Sequence, residues 1–225
     1  MRPYPLFMQL EGCRCLVVGA GGVGRRKLSG LLPCGLAEII VLDTAKPDED
    51  LQRLLDSTCV RFEQRTFVAD DVNGCALVFA ATGSRQANDF IAQSCRERGV
   101  PCNVIDAPST GSFIVPAHFA CGDMVVALST GGQSPALAKR IRMELQEWFG
   151  TRYCNFATLM GRVRPLVLAL GQETEKNTTI FRALVSSDLP DALALKDQTA
   201  CQRVLQDILP PALHPHIVEL LHGLI

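Results

Sequence analysis

Three features of the chain predict an α/β protein built on a parallel sheet. The first is a glycine-rich turn set between a short apolar run and a helical pattern: Cys13-Arg14-Cys15-Leu16-Val17-Val18-Gly19-Ala20-Gly21-Gly22-Val23-Gly24, then Arg25-Arg26-Lys27-Leu28. The second is another apolar run, Glu38-Ile39-Ile40-Val41-Leu42-Asp43, which ends in an acid 19 residues after Gly24. The third is the alternation of strand-like and helix-like segments as far as Asp106, the pattern of a parallel sheet with helices on both faces. Together they predict a Rossmann domain with a parallel sheet, followed by a small α+β element and an all-helical C-terminal domain.

Residues 4–10 read as an extended lead-in, and Glu11-Gly12 as the turn into the first strand. Gly19, Gly21 and Gly24 have the G-x-G-x-x-G spacing. The first permits the tight turn, the second lets a pyrophosphate approach bare backbone, and the third lets helix and strand pack closely. The helix, over about residues 23–32, would turn its unpaired N–H groups and positive dipole end to the phosphates, with Gly22 and Val23 in the same cradle. Arg25 and Arg26 stand beside it as candidates to neutralise the pyrophosphate. Asp43 lies where a carboxylate hydrogen-bonds the adenosine ribose and repels a 2′-phosphate, which favours NAD over NADP. The alternative for Asp43 is a solvated turn residue.

A short helix over Leu51, Leu54 and Leu55 leads to a third strand at 60–65. Residues 76–81 form a buried strand, and a strand end in a parallel sheet opens onto the ligand crevice. Thr82 and Gly83, in the loop that follows, therefore join the candidate cofactor site. A helix over 86–97, stopped by Gly99, precedes a fifth strand at 100–105, with Asp106 just past its end.

Beyond Pro108 the pattern changes. Residues 111–116 and 123–129 read as two strands with no helix between them, suited to an antiparallel pair. Ser134-Pro135 is a good N-cap and N1 pair. The helix it starts has Leu137, Ile141, Leu145 and Trp148 along one stripe, with Lys139, Arg140 and Arg142 off it. A strand pair and one helix are too small to stand alone, which points to a homodimer partner. From Thr151 onward the text is helical, with Leu159, Val163, Leu166 and Leu170 on one stripe and Pro165 as a kink. The expected division is a NAD-binding Rossmann domain over 1–112, a dimerisation and substrate element over 113–150, and a helical domain over 151–225.

The net charge of −1 over 225 residues provides no basic field for nucleic acid. The N-terminus lacks the apolar region of a signal peptide, and no stretch approaches the ~20 apolar residues of a membrane span. A soluble, cytoplasmic protein with no membrane or nucleic-acid partner is expected. The ten cysteines include no C-x-x-C pair and no His at zinc-ligand spacing, so no metal site is read from them. Several lie in apolar runs, as buried reduced thiols would; a disulfide framework is not expected, and a few are open to oxidation.

Four blocks point further. Tyr4-Pro5-Leu6-Phe7, Asn103-Val104-Ile105-Asp106-Ala107-Pro108, Ser112-Phe113-Ile114-Val115-Pro116-Ala117 and Ser129-Thr130-Gly131-Gly132-Gln133-Ser134-Pro135-Ala136-Leu137-Ala138-Lys139-Arg140-Ile141-Arg142 occur in this order. They resemble the precorrin-2 dehydrogenase / sirohydrochlorin ferrochelatase family, which includes the N-terminal part of sirohaem synthase. The resemblance covers residues 4–150 and extends to the rest only in its being helical. It implies NAD-dependent dehydrogenation of precorrin-2 to sirohydrochlorin in sirohaem biosynthesis, with ferrous iron insertion as a second activity of bifunctional members.

By its block, Asp106 corresponds to the family's catalytic aspartate, beside the nicotinamide, where a carboxylate suits the proton lost as a hydride goes to NAD. The tetrapyrrole substrate is a polycarboxylate, so Asn103, Ser112, Thr130, Lys139 and Arg140 are candidates to hold it. An ordinary solvated helix face is the alternative for the basic residues. Thr130 stands where the family commonly has serine, and the hydroxyl is kept. His118 stands where an apolar residue is expected; with no second ligand at useful spacing it reads as a half-buried packing histidine, not an iron ligand. His214, His216 and His222 read as surface residues.

Two other functions compete with this enzyme. One is a non-catalytic, NAD-sensing dimeric module, which would use the glycine turn and Asp43 but has no need of a carboxylate at the nicotinamide end. The other is an NAD-dependent dehydrogenase of another small substrate. Against it, the sequence has no Tyr-x-x-x-Lys or Cys/His pattern of the common dehydrogenases.

Overall fold

The computed structural model describes residues 3–107 and 109–225, apart from the side chain of Thr151. The chain folds as two compact units, Pro3–Val115 and Pro116–Ile225. The first contains β1 (Arg14–Val18), α1 (Gly22–Leu31), β2 (Glu38–Asp43), α2 (Glu49–Leu55), β3 (Val60–Gln64), β4 (Cys75–Ala80), α3 (Arg85–Glu97) and β5 (Cys102–Val104). The strands form one parallel sheet in the order β3-β2-β1-β4-β5. Winding reverses between β1 and β4, and such a switch point opens a crevice at the carboxyl ends of the strands.

The central strands read as unbroken apolar runs because both faces of the sheet are covered. Leu16, Val18, Ile40, Leu42, Val78 and Ala80 pack with Ile91, Ala92 and Cys95 of α3. Cys15, Val17, Ile39, Val41, Leu77 and Phe79 pack on the other face with Leu28 and Leu31 of α1 and Leu51 of α2.

An ion pair secures the segment after β3. Arg65 donates to both oxygens of Asp71, at 2.8 and 2.7 Å, and the Val68 N–H donates to Oδ2 at 2.8 Å. Burial pushes the Asp71 carboxyl up, but the hydrogen bonds from Arg65 and Val68 outweigh it and hold the group below the usual aspartate value. A depressed folded-state pKa contributes stability that is complete above the pH where a free aspartate titrates and is lost as the pH falls through the depressed value. Asp71→Asn is therefore expected to lower stability by about 1 kcal/mol at pH 7, given the part-exposed arginine. The same change should flatten the acid side of the stability curve, read from urea midpoints between pH 7 and pH 3.

One expected strand is displaced. Residues 111–116 do not form the first strand of the antiparallel pair; they begin alongside the free edge of β5. The Ser112 N–H donates to the Cys102 carbonyl at 2.8 Å, and the Ser112 hydroxyl accepts from the Cys102 N–H at 2.9 Å. A Cβ on Gly111 would lie 2.9 Å from that carbonyl, so glycine admits the close approach.

The second unit opens on the antiparallel hairpin of β6 (Ala117–Cys121) and β7 (Met124–Leu128), turned at Gly122 with φ +56°. Helices α4 (Pro135–Arg152), α5 (Cys154–Ala169), α6 (Thr174–Val185), α7 (Leu189–Ala194), α8 (Gln198–Ile208) and α9 (Ile217–Leu221) follow. Ser134 caps α4, its hydroxyl accepting from the Leu137 N–H at 3.2 Å. The expected boundary between residues 150 and 151 falls inside α4, and the hairpin belongs to the same unit as the C-terminal helices. Leu159, Val163 and Val167 of α5 pack with Leu184, Leu193, Leu205 and Leu221 in the helical core. Arg162 donates to the carbonyls of Leu220 and His222, at 2.9 and 2.8 Å, and so closes the end of α9.

Cys121, at the end of β6, is disulfide-bonded to Cys154, the first residue of α5, with Cα atoms 5.4 Å apart. The bridge is a single one and not a framework, but the sequence pointed to no pairing; the partners are 33 residues apart and meet only through the tertiary fold. Cys15, Cys75, Cys95, Cys102 and Cys201 are buried free thiols. Burial pushes the Cys15 thiol up to about 12, which keeps it protonated and inert at neutral pH. Loop closure over the 33-residue separation predicts that Cys154→Ser costs about 3–4 kcal/mol. Dithiothreitol should lower the unfolding free energy of the native protein, read from urea curves, by the same amount and leave that of the variant unchanged.

Candidate active site

The glycine turn is built by close backbone contact. Gly19 leaves β1 at φ +95°, and its N–H donates to the Leu42 carbonyl at 2.7 Å. A Cβ on Gly19 would collide with the Ala81 carbonyl, and one on Gly24 with the Gly19 carbonyl. Gly21 and Gly22 are the converse, since a Cβ on either would meet no protein atom within 4 Å. No side chain caps α1 at Gly21, and its first turn holds no acid, so its N–H groups and dipole face open space beside Val23. These residues fit a dinucleotide pyrophosphate.

Asp43 pins the turn to the end of β2. Its Oδ2 accepts from the Ala20 N–H at 2.6 Å and its Oδ1 from the Ala45 N–H at 2.9 Å. Arg25 is a brace. Its Nε donates to the Ala20 carbonyl at 2.8 Å, and its Nη2 pairs with Asp48 at 2.7 Å, so this guanidinium is tied back onto the turn and not held free for phosphate. Arg26 is exposed.

Across the switch point, the loop after β4 is organised by Asn88, which the sequence reading missed. Asn88 is completely buried. Its Oδ1 accepts from the Thr82 N–H at 3.1 Å and lies 2.7 Å from the Thr82 hydroxyl. Its Nδ2 donates to the Thr82 carbonyl at 3.1 Å and to Asp106 Oδ1 at 3.0 Å. The signal was present: Asn88 shares a helical stripe with Ile91, Ala92 and Cys95, so α3 turns a polar side chain inward. Gly83 is exposed at the tip of the loop.

Asp106 lies at the carboxyl end of β5, where the neighbouring Ile105 N–H donates to the Ala80 carbonyl at 3.2 Å. The carboxylate is exposed, and Oδ2 has no protein partner among the described residues. Thus Asn88 joins the Thr82 loop to a solvent-accessible carboxylate on the crevice side of the sheet.

The expected substrate residues fall in different places. Asn103 is buried and its Nδ2 donates to the Phe113 carbonyl at 2.9 Å, while Ser112 is bonded to Cys102. Both therefore stitch the 111–113 segment to β5. In the second unit the Thr130 hydroxyl exchanges hydrogen bonds with the Ser134 backbone, at 3.1 and 3.2 Å. Arg140 pairs with Glu144 at 2.8 Å, whereas Lys139 is exposed with no ion partner among the described residues. His118 is exposed rather than half-buried, with Nδ1 3.0 Å from the Pro116 carbonyl. Among the described residues, no group of three or more His, Cys, Asp and Glu is arranged to hold a metal ion, and no helix is long and apolar enough to cross a membrane.

A parallel sheet with this glycine turn at its switch point defines a dinucleotide-binding protein of the Rossmann class. An NAD(P)-binding family matches residues 6–117, and a family described as sirohaem biosynthesis protein, central, matches residues 122–147. Siroheme synthase of Methylococcus capsulatus is 36% identical over 163 residues, 72% of this chain and 34% of that protein. The Pseudomonas aeruginosa siroheme synthase is 31% identical over 203 residues, 90% of this chain and 43% of that protein. The solved structure of SirC, a precorrin-2 dehydrogenase, superposes with a TM-score of 0.75 at 22% identity, covering 92% of this chain and 98% of that one. The chain belongs to the sirohaem synthase family, which it matches through an NAD(P)-binding part and a central part. It spans less than half the length of the curated synthases it matches.

Proposed function

We propose that the chain oxidises precorrin-2 to sirohydrochlorin with NAD, as a step of sirohaem biosynthesis. The observation that carries this reading is Asp106, an exposed carboxylate at the carboxyl end of β5 with one oxygen anchored and the other open. A sensor of NAD has no use for such a group. Gly19, Gly21, Gly22, Val23 and Gly24 would hold the pyrophosphate, Asp43 would face the ribose, and the Thr82-Gly83 backbone would border the nicotinamide. The Asp43 charge favours NAD over NADP, because a 2′-phosphate there meets a carboxylate. When bound, NAD accepts the hydride. Asp106 takes the accompanying proton through Oδ2, and the fold's larger contribution is to hold the reacting carbon in place.

Lys139 is the first candidate to meet a substrate carboxylate, since it alone of the basic pair has no acid partner among the described residues. Thr130 and Arg140 lie on the same segment; Asn103 and Ser112 would act through the backbone they position. Ferrous iron is a second substrate in this reading, inserted after the oxidation. A homodimer is supported by α4, on which Leu137, Met143 and Trp148 are 48, 53 and 52% exposed and only Ala138 is buried among the described residues. Residues 113–150 would serve as the dimer element of a cytoplasmic enzyme. The test is anaerobic turnover of precorrin-2 generated in situ, followed by absorbance. Sirohydrochlorin that forms only when NAD is present is expected; native protein that binds NAD yet leaves precorrin-2 unchanged would contradict the proposal.

A further inference from the structure

We infer that Asn88 is a positioning residue that sets Asp106 relative to the cofactor loop, an assignment that rests on the dehydrogenase reading. All the hydrogen-bonding capacity of its amide is used. Oδ1 receives the Thr82 N–H and lies against the Thr82 hydroxyl, while Nδ2 donates to the Thr82 carbonyl and to Asp106 Oδ1. The orientation of the amide is fixed by this network, because a carboxylate and a carbonyl both require the NH2 side. Burying an amide without partners is costly, so the contacts with Thr82 fix the fully buried Asn88, and its remaining N–H is the one that reaches Asp106. The anchored Oδ1 leaves Oδ2 as the open oxygen of Asp106. One side chain thus holds the carboxylate that takes the proton in register with the loop after β4.

The experiment is a double-mutant cycle. Native protein, Asn88→Ala, Asp106→Ala and the double variant are compared for turnover of precorrin-2 at saturating NAD, for NADH affinity by fluorescence, and for thermal midpoint. Misplacing a reacting group by about 1 Å costs roughly 100-fold, so Asn88→Ala should lower kcat by about that factor in the native background. In the Asp106→Ala background it should change kcat less than about twofold, since a residue that acts through Asp106 has nothing left to position. Should Asn88→Ala fail to fold, the near-isosteric Asn88→Asp takes its place in the cycle. That variant keeps an acceptor for the Thr82 N–H but turns an oxygen toward Asp106, so NADH affinity should be retained while kcat falls at least as far. Equal fold-losses in both backgrounds, with Asp106→Ala impaired, would overturn the Asn88 assignment alone. An Asp106→Ala protein as active as native would overturn the base assignment and the Asn88 assignment together.

Discussion

Replacing Asp106 by alanine is expected to lower NAD-dependent formation of sirohydrochlorin by roughly 10²–10⁴-fold, the range for loss of a positioned general base. NADH affinity should change little, because the carboxylate is exposed and none of its hydrogen bonds reaches the glycine turn. Asp106→Asn separates charge from shape. It keeps an oxygen to accept from Asn88 Nδ2, yet cannot take a proton, so its rate should fall nearly as far as that of the alanine variant. Anaerobic assays at saturating NAD, beside NADH titrations of the same preparations, check both expectations. A variant that loses NADH affinity and turnover in parallel would assign Asp106 to cofactor binding.

The glycine turn predicts a second large effect, of opposite character. Gly24→Ala drives a Cβ into the Gly19 carbonyl, and Gly19→Ala adds a collision with the Ala81 carbonyl to a φ of +95°. Neither neighbour is the free end of a side chain. The strands or α1 must shift, at about 3 kcal/mol or more. Gly21→Ala meets no protein atom within 4 Å, so its fold should survive with a thermal midpoint near that of the native protein. The added methyl stands instead where the pyrophosphate would lie, and NADH affinity should fall. Gly24→Ala poorly folded beside Gly21→Ala folded but unable to bind is the pattern this site requires. A Gly21→Ala protein with native affinity would remove the pyrophosphate from that space.

The elements of the first unit were legible because local pattern and tertiary setting agree there. Continuous apolar runs at β1, β2 and β4 match strands buried on both faces, and the spacing of Gly19, Gly21 and Gly24 matches three distinct steric demands. Legibility stopped where pairing is long-range. Residues 111–116 carry a strand-like pattern, but Ser112 binds Cys102 and the hairpin starts only at Ala117. Helical spacing showed that α4 has Leu137 and Trp148 on one stripe, yet periodicity does not say what covers a stripe. Cys121 and Cys154 gave no local sign of pairing, since the fold alone brings their Cα atoms to 5.4 Å. Asn88 was readable in principle: an amide on the buried face of α3 needs partners, and those partners are Thr82 and Asp106.

In the proposed reaction the hydride lost by precorrin-2 is taken up by NAD on this chain. The most direct measurement of that transfer is an anaerobic single-turnover reaction in which NADH and sirohydrochlorin are quantified together, with iron left out. One NADH for each sirohydrochlorin is expected at every time point, and neither product without the protein. Sirohydrochlorin formed with no matching NADH, or NADH formed while precorrin-2 stays intact, would contradict it.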